Sequence, residues 1–122
     1  MTEYRAIRNA ETGKVVLARA EWCTNYWQHF RGLMFRRTLP DDEGLLFVYG
    51  RESRMDTSIH MFFMAFPIAA VWLDKHGIVV DKTLAKQWRP AYASKVPAQY
   101  IIEARPSFLN RVNIGDRLSF DK

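Results

Sequence analysis

The side chains in this chain whose types could do chemistry are three histidines, one cysteine and a basic segment interleaved with rings. His60 is the only ionisable group in the apolar run Thr57–Leu73, and an imidazole in a cleft can be tuned as a general acid or base. For catalysis it would need a carboxylate within hydrogen-bond reach, with Glu103 or Asp74 from neighbouring strands as the candidates. Against that stands the plainer reading of a hydrogen-bonded, half-buried histidine, because no carboxylate or nucleophile is close to it in sequence. Cys23, just before a predicted helix, could be a thiolate favoured by the helix dipole. Its neighbour Trp22 points to simple packing instead.

Other chemistries are excluded by spacing. His29, His60 and His76 lack the short paired spacings of zinc motifs, and the single cysteine can form no intramolecular disulfide. No structural metal is expected. The glycines at 13, 32, 44, 50, 77 and 115 are isolated turn residues. They build no phosphate loop or dinucleotide fingerprint, so no cofactor is implied. Asp41-Asp-Glu43 lacks the alternating acids of a calcium loop and reads as a solvated cluster facing Arg36 and Arg37.

The best binding candidate is Lys86-Gln-Trp-Arg-Pro-Ala-Tyr-Ala-Ser-Lys95. Lys86, Arg89 and Lys95 can meet an anion, and Trp88 and Tyr92 offer flat faces for bases or sugars. The competing reading makes Trp88 a plug at one barrel end. Charge supports an anionic partner: residues 1–81 hold ten bases and ten acids, whereas 82–122 hold eight bases and three acids, so the net +5 belongs to the last third. Five charges are modest and no nucleic-acid module is visible. An anionic small molecule or sugar is therefore favoured over nucleic acid.

These residues need a scaffold. Tyr4–Arg8 and Lys14–Ala20 read as a hairpin turning at Gly13. Asn25 and Gln28 have capping-box spacing for a helix with Tyr26, Phe30 and Leu33 on one face and Gly32 as its stop. Leu45–Tyr49 reads as a buried strand. Ile59–Phe66 is apolar at both parities, as in a strand covered on both faces, and Pro67 interrupts it. Ile68–Leu73, the turn Asp74–Gly77 and Ile78–Val80 form a second hairpin. Lys82–Pro97 reads as a long loop, Gln99–Ala104 as a strand, Pro106–Val112 as a short helix and Arg117–Phe120 as the last strand. The sum is a mainly β fold, a compact antiparallel barrel or sandwich of about seven short strands with two short helices.

At 122 residues with 48% hydrophobic and 14% aromatic content, residues 1–122 read as a single domain able to bury its own core. The start Met1–Ala6 lacks a secretory leader, which reads as cytoplasmic. The apolar run is too short for a membrane span. A soluble monomer is expected.

The ordered set Arg31-Gly-Leu-Met-Phe-Arg-Arg-Thr-Leu-Pro40, Glu43-Gly-Leu-Leu-Phe47, Ser58–Met64, Phe66-Pro-Ile68, Trp72-Leu-Asp74, Gly77–Val80, Tyr100-Ile-Ile-Glu103 and Ile114–Leu118 resembles domain-of-unknown-function family 192. The resemblance implies a small β-rich fold and lends no reaction. It also implies, for the segment Phe66–Trp72, an Asp two residues after Pro67 and a Lys or Arg just before the segment, where this chain has Ala69 and Ala65. If that pair served an activity, it is missing here; if it was a buried ion pair, apolar replacement can be neutral. The resulting expectation is a small binding domain for an anionic or stacking ligand. The alternatives are an enzyme using His60 or a protein–protein interaction module.

Overall fold

Local turn chemistry sets where the chain reverses. The computed structural model describes residues 2–120, with Tyr26 through its backbone only; Asp121 and Lys122 of the basic third, and the Tyr26 side chain expected on the helix face, lie outside the described residues. Strands β1 (Tyr4–Asn9) and β2 (Val15–Cys23) pair antiparallel. Their turn is held by the Asn9 carboxamide, which accepts from the amides of Glu11 and Thr12 at 2.9 and 3.2 Å, and is closed by Gly13 at φ 74°. Helix α1 (Tyr26–Arg31) starts with the expected capping box: Asn25 accepts from the Gln28 amide and the Gln28 side chain accepts from the Asn25 amide. It stops at Gly32.

The remaining strands are β3 (Glu43–Ser53), β4 (Ile68–Leu73), β5 (Val79–Ala85), β6 (Ala98–Ala104) and β7 (Leu118–Ser119), with a 3₁₀ turn at Pro106–Asn110 between the last two. They form one sheet in the order β5-β4-β6-β3-β2-β1-β7. Pairing is antiparallel except for β2 with β3, which run parallel from Arg19 opposite Glu43 to Cys23 opposite Phe47. The wholly antiparallel expectation is corrected at this one pair. Two parallel strands need a long crossover, and residues 24–42, containing α1, supply it. The sheet curls into a half-barrel whose outer strands approach at one corner: the Leu118 amide donates to the Gly77 carbonyl at 2.9 Å and the Val79 amide to the Asp116 carbonyl at 2.8 Å.

Side-chain alternation divides the core into two layers. On β4, Ala69, Val71 and Leu73 face one layer with Leu46, Ile102 and Phe108, while Ile68, Ala70 and Trp72 face the other with Leu45, Phe47 and Ile101. Every residue of β4 is buried. Ala69 is fully buried in the first layer and Ala65 is exposed, so an apolar residue suits position 69 as packed here.

Two expectations are overturned. Ile59–Phe66 is no strand; it makes a single bridge, Ile59 with Tyr92, then turns at Phe63, leaving Phe62 and Phe63 exposed. Apolar composition alone does not separate a doubly covered strand from a segment that lies across a sheet as its lid. Lys82–Ala85, read as loop, continues β5. Of these four residues only Ala85 is buried, Lys82 and Thr83 are half-buried and the apolar Leu84 is exposed, so neither alternation nor composition marks this edge strand in the sequence.

Candidate functional site

The second layer is incomplete beneath α1. A cavity of about 470 Å³ lies between α1, the end of β3 and the 56–64 segment, with Glu103 reaching it from β6. In register, Glu103 stands between Leu45 of β3 and Ala70 of β4, so the sheet surrounds a carboxyl with apolar neighbours. It is 5% exposed. No sealed side-chain nitrogen or oxygen among the described residues lacks a partner, and no hydrogen bond to the Glu103 carboxyl is present among them, so its oxygens open onto the cavity. Burial pushes this carboxyl up to about 8, keeping it protonated at neutral pH. Burial, reinforced by the charges of Glu103 and Asp56, likewise raises the phenol of Tyr49.

Gly32 shapes the cavity wall. Its φ of 47° and ψ of −125° suit only glycine, and a Cβ there would sit 3.2 Å from a Glu103 carboxyl oxygen. Arg31, also in the wall, makes no ion pair among the described residues. Two imidazoles complete the lining. His29 places Nε2 3.0 Å from the Cys23 carbonyl, and its ring lies tilted against that of Tyr49 with centroids 4.3 Å apart. His60 borders the same cavity as Glu103, but both its nitrogens hold backbone groups. Nε2–H donates to the Phe30 carbonyl at 3.0 Å and Nδ1 accepts from the Phe62 amide at 3.3 Å. The second bond fixes the tautomer, and His60 clips the end of α1 to the 60–62 turn. Proton transfer by this ring would require breaking one of those bonds.

The other chemical candidates are placed elsewhere. Asp74 accepts from the amides of His76 and Ile78 at 2.8 and 3.0 Å, capping the β4–β5 turn away from the cavity. Cys23 is 1% exposed, and burial, then the Glu21 carboxylate, pushes its thiol up to about 12. That corrects the reactive-thiolate option. The acids at 41–43 do not face Arg36 and Arg37: Asp41 pairs with Ser107 and Arg111, Glu43 lies 3.9 Å from Arg19, and Arg36 reaches Glu21 at 3.5 Å. Among the described residues no group of three or more His, Cys, Asp or Glu is placed to hold a metal ion.

The loop candidates lie outside the cavity. Lys86, Trp88, Arg89 and Lys95 are exposed; Tyr92 is half-buried, its hydroxyl accepting from the Lys86 amide at 3.0 Å. The loop runs beside the 59–61 segment, with the Met61 amide donating to the Arg89 carbonyl at 2.8 Å. Sequence reasoning missed Gly32, Tyr49 and Asp56 as cavity residues. The one signal available was Glu103 itself, an acid within the otherwise apolar Ile101–Ala104.

Fold and site together define a small curled β half-barrel with a carboxyl-bearing cavity under a six-residue helix. The chain belongs to the DUF192 family, described as Uncharacterized ACR, whose family model matches residues 7–120. It is 37% identical over 116 residues to a UPF0127 protein of Thermococcus kodakarensis, covering 93% of this chain and 72% of that protein. With a UPF0127 protein of Pyrococcus furiosus the identity is 34%, covering 93% and 97%. A solved chain from Sinorhizobium meliloti 1021 shares the fold at a TM-score of 0.78 and 24% identity, covering 98% of this chain and 94% of its own. A second, from Novosphingobium aromaticivorans, gives 0.75 and 16%, covering 97% and 84%. Among the described residues no helix is long and apolar enough to cross a membrane.

Proposed function

We propose that residues 1–122 form a ligand-binding domain rather than an enzyme, with a small molecule held in the cavity under α1. The observation that carries this reading is Glu103: a 5% exposed carboxyl without a hydrogen bond among the described residues, open to about 470 Å³ of space. Natural ligand pockets are of this size, roughly 300–1,000 Å³, mostly apolar with a few fixed polar groups. Because the carboxyl opens onto this space, a ligand there can take up its hydrogen-bonding capacity.

The lining supports a ligand with an aromatic ring and an amide or amine group. The rings of His29 and Tyr49 offer flat apolar surface, and the protonated Glu103 offers one donor and one acceptor, the complement of an amide. An amine fits as well, by taking the proton and pairing with the carboxylate. The catalytic reading of His60 is less well supported because its ring nitrogens are already bonded to backbone.

The test is an NMR titration with benzamide and benzylamine as probes near neutral pH, in the parent and in Glu103→Leu. Shifts confined to residues 29–34, 49–50, 56–64 and 103, and weakened in Glu103→Leu, support the cavity as the binding site. Shifts scattered over the surface, or unchanged by the substitution, remove it.

A further inference from the structure

Among the described residues, three that are not glycine have a backbone φ in the left-handed region, and all three are aromatic: Phe35 at 65°, Phe63 at 60° and Trp88 at 64°. A Cβ makes that conformation unfavourable, and for bulky side chains it is an outlier. Three such outliers from three separate loops lie in contact. The Phe35 and Phe63 rings stack with centroids 5.0 Å apart and planes at 28°, and Trp88 packs edge-on to Phe63 at 5.1 Å. The contact does not hide them: Phe35 is 70% exposed, Trp88 57% and Phe63 48%.

Backbone bonds hold this arrangement. The Phe35 amide donates to the Phe63 carbonyl at 3.0 Å, the Trp88 amide to the Met61 carbonyl at 2.7 Å, and the Met61 amide to the Arg89 carbonyl at 2.8 Å. The left-handed residues thus hold three rings toward solvent in a fixed stair. Backbone strain of this kind persists where the surrounding structure enforces it, and it clusters at working sites.

The stair is flanked by positive charge. Arg37 follows Phe35 by two residues, and Lys86 and Arg89 bracket Trp88; all three are exposed and make no salt bridge among the described residues. No Asp or Glu occurs from Thr57 to Leu73, the stretch that carries Phe63. We infer that this surface is a stacking platform for single-stranded nucleic acid, with bases on the outer faces of Phe35 and Trp88 and phosphates beside Arg37, Lys86 and Arg89. Every nucleobase has a π face, so flat rings joined to a basic border bind single strands with little sequence preference. A duplex hides its base faces and would leave the rings unused. A bilayer is the poorer match: the platform itself consists of rings, and the branched aliphatic side chains exposed near it in sequence are only Leu84 and Val96 among the described residues. This surface is separate from the cavity, and either reading can fail without the other.

The test is fluorescence anisotropy with a dye-labelled twelve-nucleotide oligo-dT at low and moderate salt. The titration is repeated with its duplex and with the variants Phe35→Ala, Trp88→Ala and Lys86→Gln/Arg89→Gln; circular dichroism confirms that each is folded. Expected is binding that weakens as salt rises, is tighter for the single strand than for the duplex, and falls roughly tenfold in either ring variant. The double charge variant should bind more weakly and show a shallower salt dependence. No binding at low salt, or binding indifferent to both ring substitutions, overturns the inference. So does sedimentation with phosphatidylserine vesicles that is lost in Trp88→Ala while the oligonucleotide does not bind, or a Phe35- and Trp88-dependent dimer in gel filtration without oligonucleotide binding.

Discussion

The two layers of the half-barrel are built from the same strands yet finished differently. The first is closed by the curl of the sheet and by Phe108 of the 3₁₀ turn. The second, on the opposite face, is roofed by α1 and by the irregular 57–66 segment, which leave a cavity and admit Glu103. A layer that a sheet closes on itself fills with side chains. A layer covered by short, non-repeating pieces retains space, and in this fold that is where the Glu103 carboxyl opens.

That contrast can be tested by substitution, starting with the largest effect. Phe108→Ala should lose about 3–5 kcal/mol in urea unfolding, since it removes a fully buried ring. Met64→Ala, at the cavity wall, should lose clearly less, and equal losses would mean that the two layers are packed alike.

Glu103→Gln should change how stability depends on pH. The carboxyl has an ordinary value of 4.5 and rises to about 8 when folded, so between those values the folded state holds a proton that the unfolded state releases. Stability from this group is complete below about 4.5, declines as pH rises and is gone above about 8. The difference is on the order of a few kcal/mol. Melting the parent and Glu103→Gln at pH 5 and pH 9 should therefore show the variant gaining relative to the parent at the higher pH. A constant gap would place the folded value near the ordinary one.

Gly32→Ala should cost about 1–2 kcal/mol, combining a left-handed φ with the close approach to Glu103. If truncating the partner in Glu103→Ala abolishes that cost, the close approach to the carboxyl is its source; if not, the backbone is. The smallest effect is expected at Cys23. Its thiol should react with an aromatic disulfide reagent only as fast as the protein unfolds, so a rapid reaction under native conditions would show that the second layer opens there.

Features governed by neighbouring residues were legible in the sequence: the Asn25–Gln28 cap, the Gly32 stop, the Asp74–Gly77 turn and the Pro106 start. Each depends on hydrogen bonds or φ preferences within a few positions. Features governed by distant partners were not. Ile59–Phe66 looked like a strand because burial by a sheet and burial as a lid select the same residues, and the parallel β2–β3 pair has no local mark. The cavity was out of reach for the same reason, since Gly32 and Glu103 meet only after α1 has folded over β6. Trp88 was picked out by its type, whereas its companion Phe63 was assigned to a core strand and Phe35 to no element.

The corner where the half-barrel's outer strands meet sets the order of events in folding. Gly77, at φ 80°, lies where an added Cβ would be 2.8 Å from the Leu118 carbonyl oxygen, and β7 also pairs with β1 near the opposite end of the chain. Closure therefore joins segments far apart in sequence, and the entropy of bringing them together is lost before their contacts form. The seam between Gly77 and Leu118 should be among the last contacts made on refolding, so a methyl group placed there by Gly77→Ala should speed unfolding far more than it slows folding.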